Sequence, residues 1–207
     1  TVAQLSSSLT EKSGATIQFW FRTGSTLSIN SLKENLRTTT GCIFCLDEIA
    51  GFGMSNDGSP AVRFLTKVWQ KIDVGRNSLK IDDGNWHFLA AVFRKNFPAK
   101  TCEIGIYLDG KPVAERSGSL TKTIVGERAE TLLNTLVLGA WSDNKTYYFD
   151  GDVADLRIWD GEIKNPGAPP AAALTGKEQG LIRYYPLNEQ EKASSAKDLS
   201  LSKKNAK

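Results

Sequence analysis

The chain predicts an all-β fold, a two-sheet antiparallel β-sandwich. Three observations lead there. Short segments alternate apolar and polar residues with period two, the pattern of half-buried strands. Turn signals such as Asn56-Asp57-Gly58, Asp82-Asp83-Gly84-Asn85 and Asp109-Gly110 punctuate them. Helical periodicity is nearly absent, and many short strands separated by frequent turns mean a sandwich or barrel.

Thr16 to Arg22, TIQFWFR, is the clearest strand. Ile17, Phe19 and Phe21 share one face; Gln18, Trp20 and Arg22 share the other. Residues 23–40, rich in Ser, Thr and Asn, read as a long loop or irregular hairpin. Gly41 to Leu46 and Gly51 to Ser55 are the next strands, and Asn56-Asp57-Gly58 leads into a strand from Ala61 to Trp69. Trp86 to Arg94 is apolar on both faces and is therefore predicted to be central. Cys102 to Leu108 pairs with Lys111 to Arg116 around Asp109-Gly110, a type I′ hairpin signal in which both loop residues take positive φ. Leu136 to Leu138, Gly151 to Trp159 and Leu181 to Leu187 complete the strands. Ala171 to Leu174 reads as one short helical turn after Pro169-Pro170. The predicted core contains Ile17, Phe19, Phe21, Phe88, Val92, Ile106, Leu156 and Ile158, with Trp86 and Trp159 as large anchors. Gly151 marks a bulge or a close backbone approach at a strand start.

A length of 207 residues with 40% hydrophobic residues and nine Phe can bury a substantial core. The Pro166 to Pro170 stretch resembles a linker, but Gly180 to Leu187 beyond it is strongly strand-like. Residues 1–199 are therefore read as one domain and 200–207 as a basic, disordered tail. Net charge is +3, and Lys203, Lys204 and Lys207 account for that excess. The body is near neutral, which argues against nucleic acid, since that binding needs a clustered basic face. No run approaches the ~18 apolar residues of a membrane helix. Thr1 to Gly14 is polar and does not read as a signal peptide.

Cys42 and Cys45 have CxxC spacing, but no second pair exists and His87 is the only histidine. On a strand, side chains three apart point to opposite faces, with Cα atoms about 10 Å apart, beyond disulfide reach. They read as small buried hydrophobes. Pairing of Cys102 with either one stays open, so the redox compartment is undecided.

Five phrases carry a family resemblance, in order: TIQFWFR (16–22), DGNWHFLAAVF (83–93), IGIYLDGKPV (104–113), FDGDVADLRIW (149–159) and GLIRYYPLNE (180–189). With the strand–loop–strand from Leu136 to Trp159, they resemble the laminin-G-like and pentraxin-like modules of the concanavalin-A-like lectin/glucanase superfamily. The resemblance implies a jelly-roll sandwich that recognises ligands rather than transforming them. Family members usually carry an opening strand that the start of this chain lacks, so the chain is read as a piece excised from a larger secreted or surface protein with other domains. The resemblance also implies calcium. Asp47 and Glu48 match an acidic pair after an early hairpin strand, and Asp143 matches a ligand after the strand ending at Gly139. Trp141 and Ser142 stand where the pentraxin pattern has further ligands, which limits the expectation to a single site of laminin-G type. Calcium takes six to eight oxygens, so carbonyls must supply the rest.

Related sandwiches include glycosidases, which need two carboxylates flanking the scissile bond. Asp47 and Glu48 are adjacent and face opposite sides. Asp150 and Asp152 share a face, but Asp155 does not. No nucleophile elbow surrounds any serine, and His87 reads as a hydrogen-bonded structural residue. The chain is therefore read as not an enzyme. Trp141, Tyr147 and Tyr148 cluster with Asp143, Asn144 and Lys145 in one loop. Aromatic rings beside amides and acids suit sugars, with rings under the apolar pyranose face and polar groups on the hydroxyls. Trp69 with Gln70 is read as a further contributor. The expected ligand is a glycan or glycoprotein. The alternative is a protein-interaction or structural domain without sugar binding, and glycoside hydrolysis stands behind both.

Overall fold

The alternation of Thr16 to Arg22 becomes the middle of a sheet in the computed structural model, which describes residues 2–4, 14–24, 40–46, 50–54, 58–65, 69–73, 80–96, 98, 101–115, 118–119, 121–125, 135–140, 149–169, 171–189 and 195–205. In chain order the strands are β1 (Val2–Gln4), β2 (Gly14–Arg22), β3 (Thr40–Leu46), β4 (Ala50–Met54), β5 (Pro60–Leu65), β6 (Trp69–Asp73), β7 (Trp86–Asn96) and β8 (Thr101–Leu108). They continue as β9 (Lys111–Pro112), β10 (Ala114–Glu115), β11 (Gly118–Ser119), β12 (Thr121–Val125), β13 (Thr135–Leu138), β14 (Asp152–Asp160) and β15 (Leu181–Tyr185). All their pairings are antiparallel. The first sheet has the order β1-β13-β3-β4-β5-β6; the second has the order β12-β8-β7-β2-β14-β15, with β9 on β8.

The inner faces meet in one apolar core. Ile17, Phe19 and Phe21 of β2 are fully buried there, and Phe19 lies edge-on to Phe44 with ring centroids 5.9 Å apart. Phe44 stacks on Phe52 within the first sheet. β7 is central, as its two-sided apolarity requires. Leu89, Ala91 and Phe93 enter the core, while Phe88, Ala90 and Val92 are buried on the outer face. That outer face is partly covered by residues 161–169. Gln18 donates from Nε2 to Pro166 O at 2.6 Å and accepts from Trp159 Nε1 at 2.9 Å. Thr16 Oγ1 donates to Gly161 O, and Arg94 pairs with Glu162. Thr16 and Gln18 on this face of β2 are thus buried with partners, as buried polar groups must be.

Several expectations change. Val2–Gln4 is an opening strand, paired with β13 through Val2↔Val137 to Gln4↔Thr135. The stretch from Ala61 to Trp69 is not one strand: β5 ends at Leu65 and Trp69 opens β6, with Leu65 paired to Trp69. The predicted strand from Lys111 to Arg116 pairs with β8 only through Lys111 and Pro112, while Ala114–Glu115 pairs with β11 instead; β11 and β12 carry no alternation strong enough to announce them. Ala171 to Leu174 is not helical, and no helix occurs among the described residues. Four residues without caps cannot meet the cost of helix nucleation. No helix of the described residues is long and apolar enough to cross a membrane.

Cys42 and Cys45 do not point to opposite faces. Two register shifts, between Thr40 and Cys42 and between Cys42 and Phe44, break the alternation of β3. Both cysteines are buried thiols grouped with Val137 and Ala140, while Ile43, Phe44 and Leu46 belong to the main core. The side chain of Cys102 lies outside the described residues.

Asp109 and Gly110 have φ of 50° and 83°, the left-handed pair that a type I′ hairpin demands. Gly151 packs so tightly that an added Cβ would lie 2.3 Å from Arg22 O and 2.6 Å from Phe149 Cζ. Gly151→Ala is therefore expected to cost about 1–3 kcal/mol, the range for overpacking. The denaturation midpoint measures it, and an unchanged midpoint would remove this close approach as a constraint.

The segment read as a disordered tail is described as far as Asn205 and is hydrogen bonded to β15. Buried Asp198 accepts from Tyr184 N and Ser200 N on Oδ1, and from Ser202 Oγ and Lys204 N on Oδ2. Tyr185 Oη donates to Lys204 O at 2.6 Å. These bonds run across the boundary drawn at residue 199.

Candidate binding face

The loop singled out in the sequence, with Trp141, Asp143, Asn144, Tyr147 and Tyr148, lies outside the described residues, as do Asp47 and Glu48. Its two feet are described. Phe149 N donates to Gly139 O at 2.8 Å, closing the loop at its base. Phe149 packs edge-on against Phe21, and Asp150 O accepts from Thr23 Oγ1. The loop therefore starts and ends where β2 leaves and β14 enters the second sheet.

Strand directions fix where the chain leaves the described residues toward the other expected contributors. β3 and β13 are antiparallel, with Leu46 beside Leu136 and Leu138 beside Phe44. The chain leaves β3 toward Asp47 and Glu48 at one end of the sheet and leaves β13 toward Asp143 at the other. Trp69, whose side chain is also outside the described residues, begins β6 at the same end as Ala50, four strands from β13. At about 4.8 Å per strand that is roughly 19 Å from β13. The backbone of Trp69 is thus set at the opposite end of the sheet from the end of β13, and its side chain and the 141–148 loop both lie outside the described residues. Among the described residues, no group of three or more His, Cys, Asp and Glu could hold a metal ion.

At the feet of the loop, the outer face of the second sheet carries a different aromatic cluster. Directly opposed residues in a sheet share a face. Arg22 stands between Asp152 and Trp86, and Trp20 stands between Ala154 and Phe88. Trp86 is 42% exposed, whereas the sequence placed it in the core. The register explains the difference. His87 opposes Phe21 on the inner face, so Trp86, one residue earlier, must point outward. Trp20 is half-buried on Phe88, with centroids 5.1 Å apart. Trp20, Trp86 and Ala154 line an apolar depression of about 310 Å³. Arg22 lies over the Trp86 ring at 4.9 Å and donates from Nε and Nη2 to Asp152 Oδ2 at 3.0 and 2.6 Å. Beyond that pair opens a polar cleft of about 620 Å³ lined by Arg22, Thr23, Gly24, Gly84, Asp150, Gly151 and Asp152. Half of this face was legible: TIQFWFR puts Trp20 and Arg22 opposite the core residues. Trp86 joins them only through the pairing of β2 with β7.

The cleft wall is held by His87, which is buried beneath it. His87 Nδ1 lies 2.7 Å from Asp109 Oδ2, and Nε2 lies 3.1 Å from Asp83 Oδ1. Asp109 also accepts from Phe88 N, and Asp83 from Asn85 N and Nδ2. One imidazole thus ties the 82–85 turn to the 109–110 hairpin tip. The hydrogen bond to Asp109 raises the His87 pKa, against the opposing effect of burial. Burial disfavours ionised Asp109, but the bonds from His87 and Phe88 N outweigh it and lower its pKa. Asp83 is lowered first by its bonds from Asn85.

The sign follows from linkage. A histidine whose pKa rises on folding stabilises the native state fully below its unfolded value, about 6.5, and that contribution is lost as pH rises through the folded value. The two aspartates contribute above their unfolded value, about 3.9, and lose it as pH falls. Because His87 is the chain's only histidine, the melting temperature is expected to fall as pH rises above about 6.5, and His87→Gln should flatten that slope. Parallel slopes in the two proteins would overturn this account.

The acids weighed for hydrolysis are divided. Asp152 is paired with Arg22. Asp155 sits on a bulge at φ 60° and pairs with buried Arg157. Asp150 precedes the strand and is exposed.

A laminin G model described as the concanavalin A-like lectin/glucanases superfamily matches residues 1–166. The chain belongs to the concanavalin A-like lectin/glucanase superfamily. No curated protein matches it. Among solved structures, Ruminococcus gnavus IT-sialidase CBM40 bound to alpha2,6 sialyllactose is 11% identical, with a TM-score of 0.46, over 76% of this chain and 82% of that one. A second structure of that CBM40 is 12% identical, with a TM-score of 0.46, over 79% and 88%. Domains LG4-5 of the mouse laminin alpha1 chain are 21% identical, with a TM-score of 0.38, over 71% of this chain and 36% of that one. Each is a distant likeness. Within the superfamily, the two sheets, the central β7 and the 109–110 hairpin are the features this chain's own residues account for.

Proposed function

We propose that this chain is a noncatalytic recognition module that binds glycan at the outer face of its second sheet. The observation that carries the reading is Trp86. A large indole is held out at 42% exposure beside half-buried Trp20, lining an apolar depression, and its Arg22 neighbour lines a polar cleft. The depression and the cleft both fall in the range of about 300–1,000 Å³ usual for small-ligand sites. An indole offers an apolar plate to a pyranose ring, while the Arg22–Asp152 pair offers donors and acceptors to its hydroxyls. Membership of a superfamily described by its lectins and glucanases supports the same class of ligand. The division of Asp150, Asp152 and Asp155 favours binding over hydrolysis.

Trp141, Asn144, Tyr147 and Tyr148 belong to this proposal as a second wall, since the foot of their loop at Asp150 lines the cleft. So does a larger secreted or surface parent protein with other domains. Calcium held by Asp47, Glu48 and Asp143 is a separate part of the proposal. The register sets it a condition: the two acidic segments must converge after leaving opposite ends of the β3–β13 pair. If they do, calcium raises the melting temperature by mass action, and Asp143→Ala removes the rise. A melting temperature unmoved by millimolar calcium or by chelator would remove calcium from the reading.

A glycan array, run with and without calcium, tests the ligand class. Binding lost in Trp86→Ala supports the reading. Hydrolysis of a polysaccharide panel would replace it with a glycosidase, and failure to bind any saccharide would leave the interaction-domain alternative.

A further inference from the structure

Resting on the glycan reading, we infer that the site selects neutral, hydroxyl-rich saccharides and discriminates against acidic ones. The charges on the binding face carry the inference. Among the described residues that line the depression and the cleft, Arg22 is the only cation, against the carboxylates of Asp150 and Asp152. That guanidinium is already engaged twice. It lies over the Trp86 ring, and its Nε and Nη2 both donate to Asp152 Oδ2. Its remaining N–H donors point away from that bond, but a uronate, sulfate or sialate taking them would sit beside the Asp152 carboxylate. Arg22 positions the indole and neutralises Asp152, and Asp150 leaves the face with one carboxylate in excess.

The acceptors, by contrast, are available. Both Arg22 bonds end on Oδ2 of Asp152, so Oδ1 has no donor among the described residues. The Asp150 carboxylate is exposed at the cleft, and its residue's bond to Thr23 uses the backbone oxygen alone. Carboxylate oxygens accept hydrogen bonds and donate none when ionised. A sugar hydroxyl can donate to them; an acidic group can only repel them. The Trp86 and Trp20 rings add no charge preference for a neutral ring, and they disfavour an anion because their faces are electron-rich. The face therefore matches a ligand that stacks and donates.

The test compares wild-type affinities for neutral hexasaccharides (gluco-, manno- and xylo-configured) with those for oligogalacturonide, a sulfated oligosaccharide and a sialylated trisaccharide. Each is titrated by calorimetry at about 0.01 M and about 1 M salt, where screening lengths are about 30 Å and 3 Å. At least one neutral ligand should bind at least about tenfold more tightly than every acidic one at low salt. High salt should narrow that gap. Asp150→Asn should raise the affinity for acidic ligands at low salt more than it changes the neutral affinity. Acidic ligands binding as tightly as neutral ones, with affinity falling as salt rises, would overturn this inference and leave the glycan reading intact. No binding by any saccharide of either class would overturn the glycan reading, and the inference with it.

Discussion

Asp198→Ala should lower the unfolding free energy by about 3–5 kcal/mol, the range for removing one partner of a buried charged pair. Asp198 is 3% exposed and Arg183 is 2% exposed, with Arg183 Nε 3.9 Å from Asp198 Oδ2. The larger loss lies in its acceptors. The carboxylate receives Tyr184 N at 3.1 Å, Ser200 N at 2.9 Å, Ser202 Oγ at 2.8 Å and Lys204 N at 2.8 Å. Alanine leaves these donors facing a void, and each unsatisfied buried donor costs about 1–3 kcal/mol before relaxation. Relaxation is available because the segment after Asp198 can leave β15 and take water instead. Two measurements follow. Chemical denaturation gives the stability, and hydrogen exchange gives the protection of residues 199–205. Both should drop in Asp198→Ala. Asp198→Asn, which keeps the shape and one acceptor oxygen, should lie between it and wild type. A loss under about 1 kcal/mol with unchanged exchange would show that this latch does not hold the segment.

Trp86→Ala should weaken saccharide binding by about 1–3 kcal/mol, the range for an aromatic anchor, and change stability by no more than about 0.5 kcal/mol, as exposed positions do. Trp20→Ala should differ. Its ring is half-buried on Phe88, so affinity and stability should fall together. The contrast between two indoles on one face separates binding from packing, and neither variant alone does so. If Trp86→Ala binds normally while Trp141→Ala or Tyr147→Ala loses ligand at unchanged melting temperature, recognition belongs to the 141–148 loop. If Trp86→Ala loses several kcal/mol of stability, the indole is a structural cap and the binding face has to be sought elsewhere.

The sequence reading went furthest where a physical rule acts within a few residues. Period-two alternation made TIQFWFR a strand and divided its side chains correctly between core and outer face. Asp109-Gly110 announced its hairpin because few residue pairs accept two positive φ values. The apolarity of WHFLAAVF on both sides announced a central strand. The reading failed where a longer-range fact decides. Cys42 and Cys45 share an environment because of register shifts in β3, and a bulge leaves no mark in a run of apolar residues. Val2–Gln4 is a strand because β13 offers it an edge, and three residues hold no alternation of their own.

Local chemistry in this chain thus determined the fold class, most of the strands and the inward set Ile17, Phe19 and Phe21, because side-chain period and turn stereochemistry are properties of neighbouring residues; superfamily membership was legible through the resemblance of five phrases in order. Tertiary structure decided which tryptophans are available to a ligand. Nothing in the DGNWHF phrase says whether Trp86 or His87 faces the core. Pairing of Phe21 with His87 settles it, turning His87 inward to bridge Asp83 and Asp109 and Trp86 outward beneath Arg22. A shift of one residue in that register would exchange them, because neighbours on a strand occupy opposite faces.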